Sequence, residues 1–143
     1  MDKYFAANAT FAKFSRNYMD LKKNLPIRPS EMGALNILAS MTGPRTSVRL
    51  AEIASVSKPM VTAILKSLTK KGYVIKRRSE EDKRVYYLEL TPKAMQLVED
   101  AKAESDMHLE HIMKAMGQES FDKLIELTQM ANDIMEADKS VSD

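Results

Sequence analysis

Hydroxyl and ammonium groups recur along one side of an apolar helical pattern in residues 57–70. Its aliphatic members, which share one helix face at i, i+3, i+4 and i+7, are Val61, Ile64, Leu65 and Leu68. The outward residues are Lys58, Pro59, Thr62, Lys66 and Lys70. Thr62 can exchange hydrogen bonds with a base, Lys66 can reach a guanine edge or a phosphate, and Ser57 as N-cap leaves helix-start amides for a phosphate oxygen. The pattern fits a helix in a DNA major groove, although an ordinary amphipathic surface helix has the same pattern.

Further cations lie in the next segment, where the spacing of apolar residues changes from helical to β. Residues 73–75 and 85–88 are β-branched and aromatic, and the polar residues 79–83 between them predict a hairpin loop. The cations are Lys76, Arg77, Arg78, Lys83 and Arg84. A two-stranded ribbon with such cations can straddle a DNA backbone, and an arginine at its edge can enter the minor groove. Asp82 can pair with Arg84 two residues on and orient its guanidinium.

The formal net charge of +2 is an average over segments of opposite sign. Residues 1–44 carry a net charge of +3, residues 45–93 of +7 and residues 94–143 of −8. The basic middle contains both the helix and the hairpin described above. Such a basic field is typical of a surface that binds a phosphate backbone, although a solvated charged face would have the same composition.

One further set of residues has the spacing of a metal site. Glu104, His108 and His111 lie at i, i+4 and i+7 of a predicted helix, so a metal ion could contact all three from one side. Three ligands on one helix rarely complete a site, and a solvated glutamate and histidine pair accounts for the same spacing. We therefore predict no metal and no other cofactor.

The composition excludes several kinds of chemistry. The 143 residues include no Cys, which excludes thiolate catalysis, a disulfide scaffold and a cysteine-ligated zinc. With only four Gly there is no glycine-rich phosphate loop, and no serine and histidine arrangement has a catalytic signature. We expect no enzyme. Because no apolar run reaches the roughly 20 residues of a membrane span and residues 1–5 do not resemble a signal peptide, we also expect a cytoplasmic protein with no membrane partner.

The elements that must position these residues are mostly helical. A first helix is predicted by apolar residues spaced three and four apart, which are Tyr4, Ala7, Phe11, Phe14, Tyr18, Leu21 and Leu25. Ser30 is the predicted N-cap of a second helix, with Glu31 as an acid in its first turn and Gly43 near its end. Residues 46–48 have a β-like composition, and residues 50–54 form a short third helix.

The later elements have clearer end signals. Gly72 ends the helix of residues 57–71, and Thr91 followed by Pro92 is an N-cap with proline at the first helical position. That helix runs to about Met116, and a final helix covers about residues 119–138. The predicted fold class is therefore mostly α with a small β-hairpin wing, a winged helix-turn-helix.

The most specific motif is Asp82-Lys83-Arg84, which leads through a strand to Leu90-Thr91-Pro92. This motif resembles the wing signature of the MarR family of winged-helix transcription regulators. The runs in residues 50–54, 57–68 and 71–77 resemble the same family. The resemblance implies one domain over residues 1–143, in which residues 29–93 form the DNA-binding lobe and residues 1–28 and 94–143 form dimerisation helices. It also implies that residues 57–71 are the recognition helix, that Arg84 is the wing arginine and that Asp82 supports it.

Members of the family commonly respond to a small ligand bound between the dimerisation helices and the DNA-binding lobe. The candidates for such a pocket are Phe11, Phe14, Tyr18, Met32 and Leu35. Flexible methionine and aromatic side chains suit an adaptable pocket, but they suit ordinary core packing equally well. No ligand class follows from these residues.

The sequence as a whole predicts a regulator of transcription that binds specific double-stranded DNA sequences. The resemblance implies a homodimer on a palindromic operator, acting as a repressor that a small molecule releases. The alternative is a winged-helix interaction module whose basic lobe binds an acidic protein partner. Salt-dependent, sequence-selective duplex binding would separate the two, because a protein partner would leave the recognition helix indifferent to base sequence.

Overall fold

The computed structural model describes residues 2–22 and 24–142. Its helices are α1 (Lys3–Asp20), α2 (Pro29–Ser40), α3 (Ser47–Ala54), α4 (Lys58–Lys70), α5 (Pro92–Met116) and α6 (Gln118–Ser142), and its strands are β1 (Val74–Arg78) and β2 (Tyr86–Leu90). The predicted fold class is confirmed, because the described chain is mostly helical with one antiparallel hairpin between α4 and α5. The chain divides into two compact units, Met1–Ala103 and Glu104–Asp143, and the boundary falls within α5.

The core of the first unit forms where α2, α3 and α4 pack against one another and against the hairpin. Its most deeply buried apolar side chains are Leu35, Leu38, Leu50, Leu65, Leu68 and Val74. The predicted apolar face of α4 is confirmed, since Val61, Leu65 and Leu68 are buried and Ile64 packs at the edge of the same cluster. Burial of this face leaves the opposite face of α4 in solvent.

The ends of α4 and α5 follow the sequence signals. The Ser57 hydroxyl accepts the Met60 N–H at 3.3 Å, and α4 is followed by Gly72, whose φ of 82° is a conformation that favours glycine. At α5 the Thr91 hydroxyl accepts the Ala94 N–H at 3.2 Å. These caps satisfy amides that would otherwise lack partners at the helix starts.

The first helix is shorter than its apolar spacing predicts. It ends at Asp20, with Leu21 as C-cap, although the pattern continued to Leu25. Leu25 precedes Pro26, and a proline disfavours helical backbone at the residue before it. The Leu25 side chain instead packs against the core of the first unit.

The second helix begins earlier than predicted. Its N-cap is Arg28, not Ser30, and Pro29 occupies the first helical position, where its fixed φ is favourable. The Glu31 carboxylate accepts the Arg28 N–H at 3.0 Å, which is the arrangement of an acid three residues after a cap. This contact with the residue before Pro29 moves the helix start two residues upstream of the prediction.

The β-like segment at residues 46–48 is a helix start. Only Thr46 forms a β-bridge, to Tyr87, and α3 already begins at Ser47. The Thr46 hydroxyl accepts the Arg49 N–H at 3.3 Å, so this β-branched residue is the N-cap of α3. The prediction of a β piece was wrong because a threonine can take either role.

Two helices expose apolar faces. No described side chain of α1 is buried, and Phe11 and Phe14 are 70% and 52% exposed. In the second unit, α6 has no buried residue in its described part, and Met130 and Ile134 are 53% and 58% exposed. Within the described residues, no helix has the combination of length and hydropathy that a membrane crossing requires.

We expect Leu38→Ala to lower the free energy of unfolding by about 2 to 5 kcal/mol, because it leaves a cavity around a side chain of zero exposure. Chemical denaturation at fixed protein concentration measures the change. Ile53→Ala is the control, since Ile53 of α3 is 52% exposed, and its effect is expected to stay below about 1 kcal/mol. Equal effects of the two substitutions would contradict the assignment of the core.

Candidate nucleic-acid interface

The turn between α3 and α4 sets the angle at which α4 leaves the core. Ser55 adopts a left-handed conformation with φ 54°, and the Val56 N–H donates to the Ala51 carbonyl at 3.2 Å. Ser57 then caps α4. Leu50 of α3 and Val61 of α4 are buried together in the core cluster, so the two helices form a packed helix-turn-helix.

The outward face of α4 carries the residues that the sequence singled out. Ser57, Lys58, Pro59, Thr62, Lys66 and Lys70 are all exposed. The Thr62 hydroxyl donates to the Lys58 carbonyl at 3.0 Å, so its oxygen can still accept a hydrogen bond from a ligand. Lys58, Lys66 and Lys70 form no ion pair within the described residues. The face can thus supply three exposed ammonium groups and a small hydroxyl surface.

The wing arginine is held by the carboxylate that the sequence paired with it. Arg84 Nε lies 3.1 Å from Asp82 Oδ1, and Arg84 Nη2 lies 3.2 Å from Asp82 Oδ2. The Arg84 backbone N–H also donates to Asp82 Oδ1 at 3.0 Å. These hydrogen bonds hold the pKa of Asp82 below its ordinary value. Because the Arg84 side chain is still 91% exposed, its guanidinium is oriented and accessible at once.

The loop that carries this pair is braced from inside. Ser79 is buried, and its hydroxyl accepts the Asp82 N–H at 3.3 Å. The Ser79 N–H donates to the Val85 carbonyl at 2.9 Å, and the Val85 N–H donates to the Asp82 carbonyl at 3.0 Å. Lys83 lies in this loop, exposed and without an ion pair in the described chain.

The three cations of β1 differ in their partners and in the face of the hairpin on which they lie. Strand register puts Lys76 and Arg78 on one face of the hairpin and Arg77 on the other. Arg77 Nε lies 2.6 Å from Glu89 Oε1, and this ion pair raises the pKa of Arg77 above its ordinary value. Arg78 donates to the Tyr86 hydroxyl, with Nε at 3.1 Å, and its guanidinium carbon lies 5.2 Å from the ring centroid. Lys76 is exposed and forms no ion pair within the described chain.

The residues proposed for a ligand pocket are not brought together in the single chain. Met32 and Leu35 are buried in the core, whereas Phe11 is 70% exposed on α1. Phe14 and Tyr18 stack on each other with ring centroids 6.1 Å apart. A cavity of about 230 Å³ lies instead between α2, α3 and α4, and its lining includes Gly33, Ile37, Val56, Met60 and Ile64.

The spacing of Glu104, His108 and His111 does not produce a metal centre in the second unit. His108 Nε2 lies 3.7 Å from Glu104 Oε1, and His111 is exposed. Within the described residues, no group of three or more His, Cys, Asp or Glu side chains is arranged to hold a metal ion.

Sequence reasoning missed the partners that lie far along the chain. Glu89 and Tyr86 each take one wing arginine from the opposite strand, and Glu31 binds Lys71 across 40 residues. A hairpin register drawn from the sequence could have found the two cross-strand pairs. No local pattern links Glu31 to Lys71, because that contact depends on how α2 packs beside α4.

The family comparison matches the part of the chain that contains the helix-turn-helix and the wing loop. The model of the MarR family matches residues 25–85, from the residues before α2 to the wing loop. The HTH-type transcriptional regulator FarR of Neisseria gonorrhoeae is 33% identical over 85 residues, which are 57% of this chain and 58% of that protein. The matched part thus spans a little over half of the relative's length.

Solved structures resemble nearly the whole chain. Streptococcus pneumoniae FabT, in complex with DNA, has a TM-score of 0.75 and 25% identity and is matched over 92% of this chain and 99% of its own. Staphylococcus aureus MarR, in complex with salicylate and kanamycin, has a TM-score of 0.76 and 20% identity over 94% of this chain and 91% of its own. The second likeness is one of fold.

We expect NMR titration to find the pKa of Asp82 below its ordinary value of about 3.9 in the wild type and closer to it in Arg84→Ala. Removing the guanidinium removes the charged donor that favours the ionised carboxylate. Arg77→Ala is the control and should leave the pKa of Asp82 unchanged, because Arg77 pairs with Glu89. A pKa of Asp82 that does not respond to Arg84→Ala would contradict the pair.

Proposed function

We propose that the chain is a MarR-family regulator, which binds double-stranded DNA as a homodimer and regulates transcription; the model of that family matches residues 25–85. The observation that carries the proposal is that one surface combines two features. The face of α4 has exposed cations without an ion pair in the described residues, and Asp82 already orients the wing arginine Arg84. A surface prepared in this way suits a ligand with regularly spaced negative charges and polar edges. Duplex DNA is such a ligand.

The roles of the residues follow from their chemistry. Pro59, Thr62 and Lys66 would meet base edges in a major groove, where a threonine methyl can touch thymine and a lysine can reach guanine. Arg84 would enter the adjacent minor groove. Phosphates would be contacted by Ser57, Lys58, Lys70, Lys76, Arg78 and Lys83. Arg77 would contribute less than its charge suggests, because Glu89 offsets it.

Two relatives support this assignment, one through the function in its name and the other through its solved complex with DNA. FarR of Neisseria gonorrhoeae is a transcriptional regulator, and FabT of Streptococcus pneumoniae has been solved with DNA bound. The charge of this chain agrees with the same use, since residues 45–93 carry a net charge of +7 and residues 94–143 one of −8. An acidic C-terminal region would be repelled by DNA, which confines binding to the basic lobe.

The dimer part of the proposal rests on apolar surface that one chain leaves uncovered. α1 exposes Phe11 and Phe14, and α6 exposes Met130 and Ile134. Such continuous apolar faces on long helices are unusual on a monomer, and a second copy would cover them. Two-fold symmetry would then set two recognition helices on half-sites about one helical turn apart, near 10 bp from centre to centre, which requires a palindromic operator.

We also propose that the regulator is a cytoplasmic repressor released by a small molecule. Staphylococcus aureus MarR, which shares this fold, has been solved in complex with salicylate and kanamycin, so the fold can accommodate small molecules. The proposed pocket of Phe11, Phe14, Tyr18, Met32 and Leu35 would need to be completed in the dimer, because these residues do not line one cavity in a single chain.

We expect Arg84→Ala to weaken binding to a selected operator by about 1 to 3 kcal/mol and to weaken binding to random duplex less. The operator is first selected from a pool of random duplexes, and affinity is measured by fluorescence anisotropy over a series of salt concentrations. Lys76→Ala is the comparison variant, expected to lose affinity equally on both duplexes and to lower the salt slope by about one. Wild-type protein that binds all duplexes equally would favour an acidic protein partner instead.

For the dimer, we expect Phe14→Asp to yield a monomer, because the substitution would place an unpaired carboxylate in the proposed interface. Sedimentation velocity measures the mass in solution. Lys13→Asp on the same helix introduces the same carboxylate at an exposed polar position, with an even larger change in net charge, and is expected to leave a dimer. A Phe14→Asp protein that stays dimeric would move the interface away from this face of α1.

A further inference from the structure

The described chain buries one carboxylate, that of Glu31 on α2. Its side chain is 2% exposed, and the other buried polar side chain among the described residues is the uncharged Ser79. Glu31 Oε1 accepts the Arg28 N–H at 3.0 Å, which caps α2. A cap of this kind works at a helix end in solvent and does not require a buried charge. The burial of Glu31 therefore calls for a second explanation.

The carboxylate also holds the last turn of α4. Lys71, the C-cap of α4, donates from Nζ to Glu31 Oε1 at 3.1 Å and to Oε2 at 3.3 Å. Burial alone would raise the pKa of Glu31, but hydrogen bonds from Ser67, from the Arg28 backbone and from Lys71 outweigh it and lower the pKa below its ordinary value. Because Lys71 directly follows α4, its two hydrogen bonds tie the carboxylate to the end of that helix.

The same turn is tied to α5. We call residues 71–73 the α4–β1 turn, since they join the recognition helix to the wing. The Lys71 carbonyl accepts Lys93 Nζ at 2.7 Å, and the Gly72 carbonyl accepts the Thr91 hydroxyl at 2.8 Å. Lys93 Nζ also lies 4.4 Å from the centroid of the Tyr73 ring. Polar contacts from α2 and from the start of α5 thus converge on the one junction between α4 and the wing.

Apolar packing cannot replace these contacts. Leu65 and Leu68 bury α4 against the core, but hydrophobic burial has no directional preference and allows a helix to shift or rotate slightly. Hydrogen bonds to a fixed carboxylate have defined lengths and angles. A buried ion pair is weak evidence for stability, and its better attested use is to select one arrangement among several.

We propose that Glu31 is a positioning residue for DNA recognition, which acts through Lys71 to fix the register of the recognition helix and the wing relative to α2. The inference rests on the proposed DNA binding. Glu31 itself touches no base and no phosphate, since it is buried. Its effect is the discrimination between an operator and random duplex, because base contacts tolerate displacement of α4 less well than phosphate contacts do.

The test is the double variant Glu31→Leu with Lys71→Met, compared with the wild type on the selected operator and on random duplex. Replacing both partners by apolar side chains preserves the net charge and avoids an unpaired buried charge. The thermal midpoint should fall only modestly, because the loss besides the ion pair is mainly that of the cap at the Arg28 N–H. If Glu31 positions α4, operator affinity falls about tenfold while random-duplex affinity changes by less than about threefold. If the pair only stabilises the fold, the variant keeps the wild-type ratio of the two affinities, and the proposal is overturned.

Two further variants keep the test decisive if the double variant does not fold. Glu31→Gln keeps an acceptor for the Arg28 N–H but gives up the ionic contact with Lys71, and it should lower the operator-to-random ratio. Lys71→Arg in the wild-type background keeps a charged donor for Glu31, so its operator-to-random affinity ratio should stay close to that of the wild type. A full ratio in Glu31→Gln, or a lost ratio in Lys71→Arg, would overturn the positioning role.

The matched control is Lys70→Met, which removes the neighbouring ammonium, a group that forms no ion pair among residues 2–22 and 24–142. It should weaken binding to both duplexes equally and lower the salt slope, because a phosphate contact carries no sequence information. Failure of the proposed function has a different signature. Wild-type protein without any preference for a selected duplex would overturn both proposals, whereas a selective wild type and an equally selective double variant would overturn only this one.

Discussion

Burial of one aliphatic face of α4 is the constraint on which the rest of the lobe formed by α2, α3, α4 and the hairpin depends. Val61, Leu65 and Leu68 are at most 2% exposed, and a helix that buries these positions must direct the residues between them into solvent. The outward set of lysines, proline and threonine is thus a geometric consequence of the inward set. Ser57 at the start and Gly72 after the end limit α4 to the length of this packed face.

Charge in the lobe is organised by pairing as much as by number. The cations of the helix face form no ion pair within the described residues, whereas those of the wing are mostly oriented, Arg84 by Asp82, Arg77 by Glu89 and Arg78 by Tyr86. Orientation limits the number of conformations that an arginine loses when it binds, while a carboxylate partner also reduces its net attraction for an anion. For Arg84 the side chain is still almost fully exposed, so orientation is gained and access is kept.

The long helices, in contrast to α4, leave their apolar faces exposed. In the described residues α1 has no buried side chain, and neither has α6, although both carry regularly spaced apolar residues. Amphipathic helices owe most of their stability to packing of the apolar face, so isolated faces of this length favour association. The core of the lobe needs no such help, since its leucines are covered within one chain. Packing of the lobe and covering of these apolar faces are therefore separate demands on the sequence.

The sequence by itself determined features that depend on neighbouring residues. Periodicity gave the helices and the hairpin, Ser57 and Thr91 gave helix starts, and the adjacent Asp82 and Arg84 gave an oriented wing arginine. It misplaced the end of α1 and the start of α2, where Pro26 and the reach of Glu31 back to Arg28 override the apolar pattern.

Only the tertiary structure decided the contacts that join distant elements. Arg77 pairs with Glu89 across 12 residues, and Lys71 reaches Glu31 across 40. Whether such groups meet depends on strand register and on how α2 packs against α4, which the residues near each group do not specify. The chain therefore encodes its elements locally, while the junction of α4 and the hairpin is set by packing between elements.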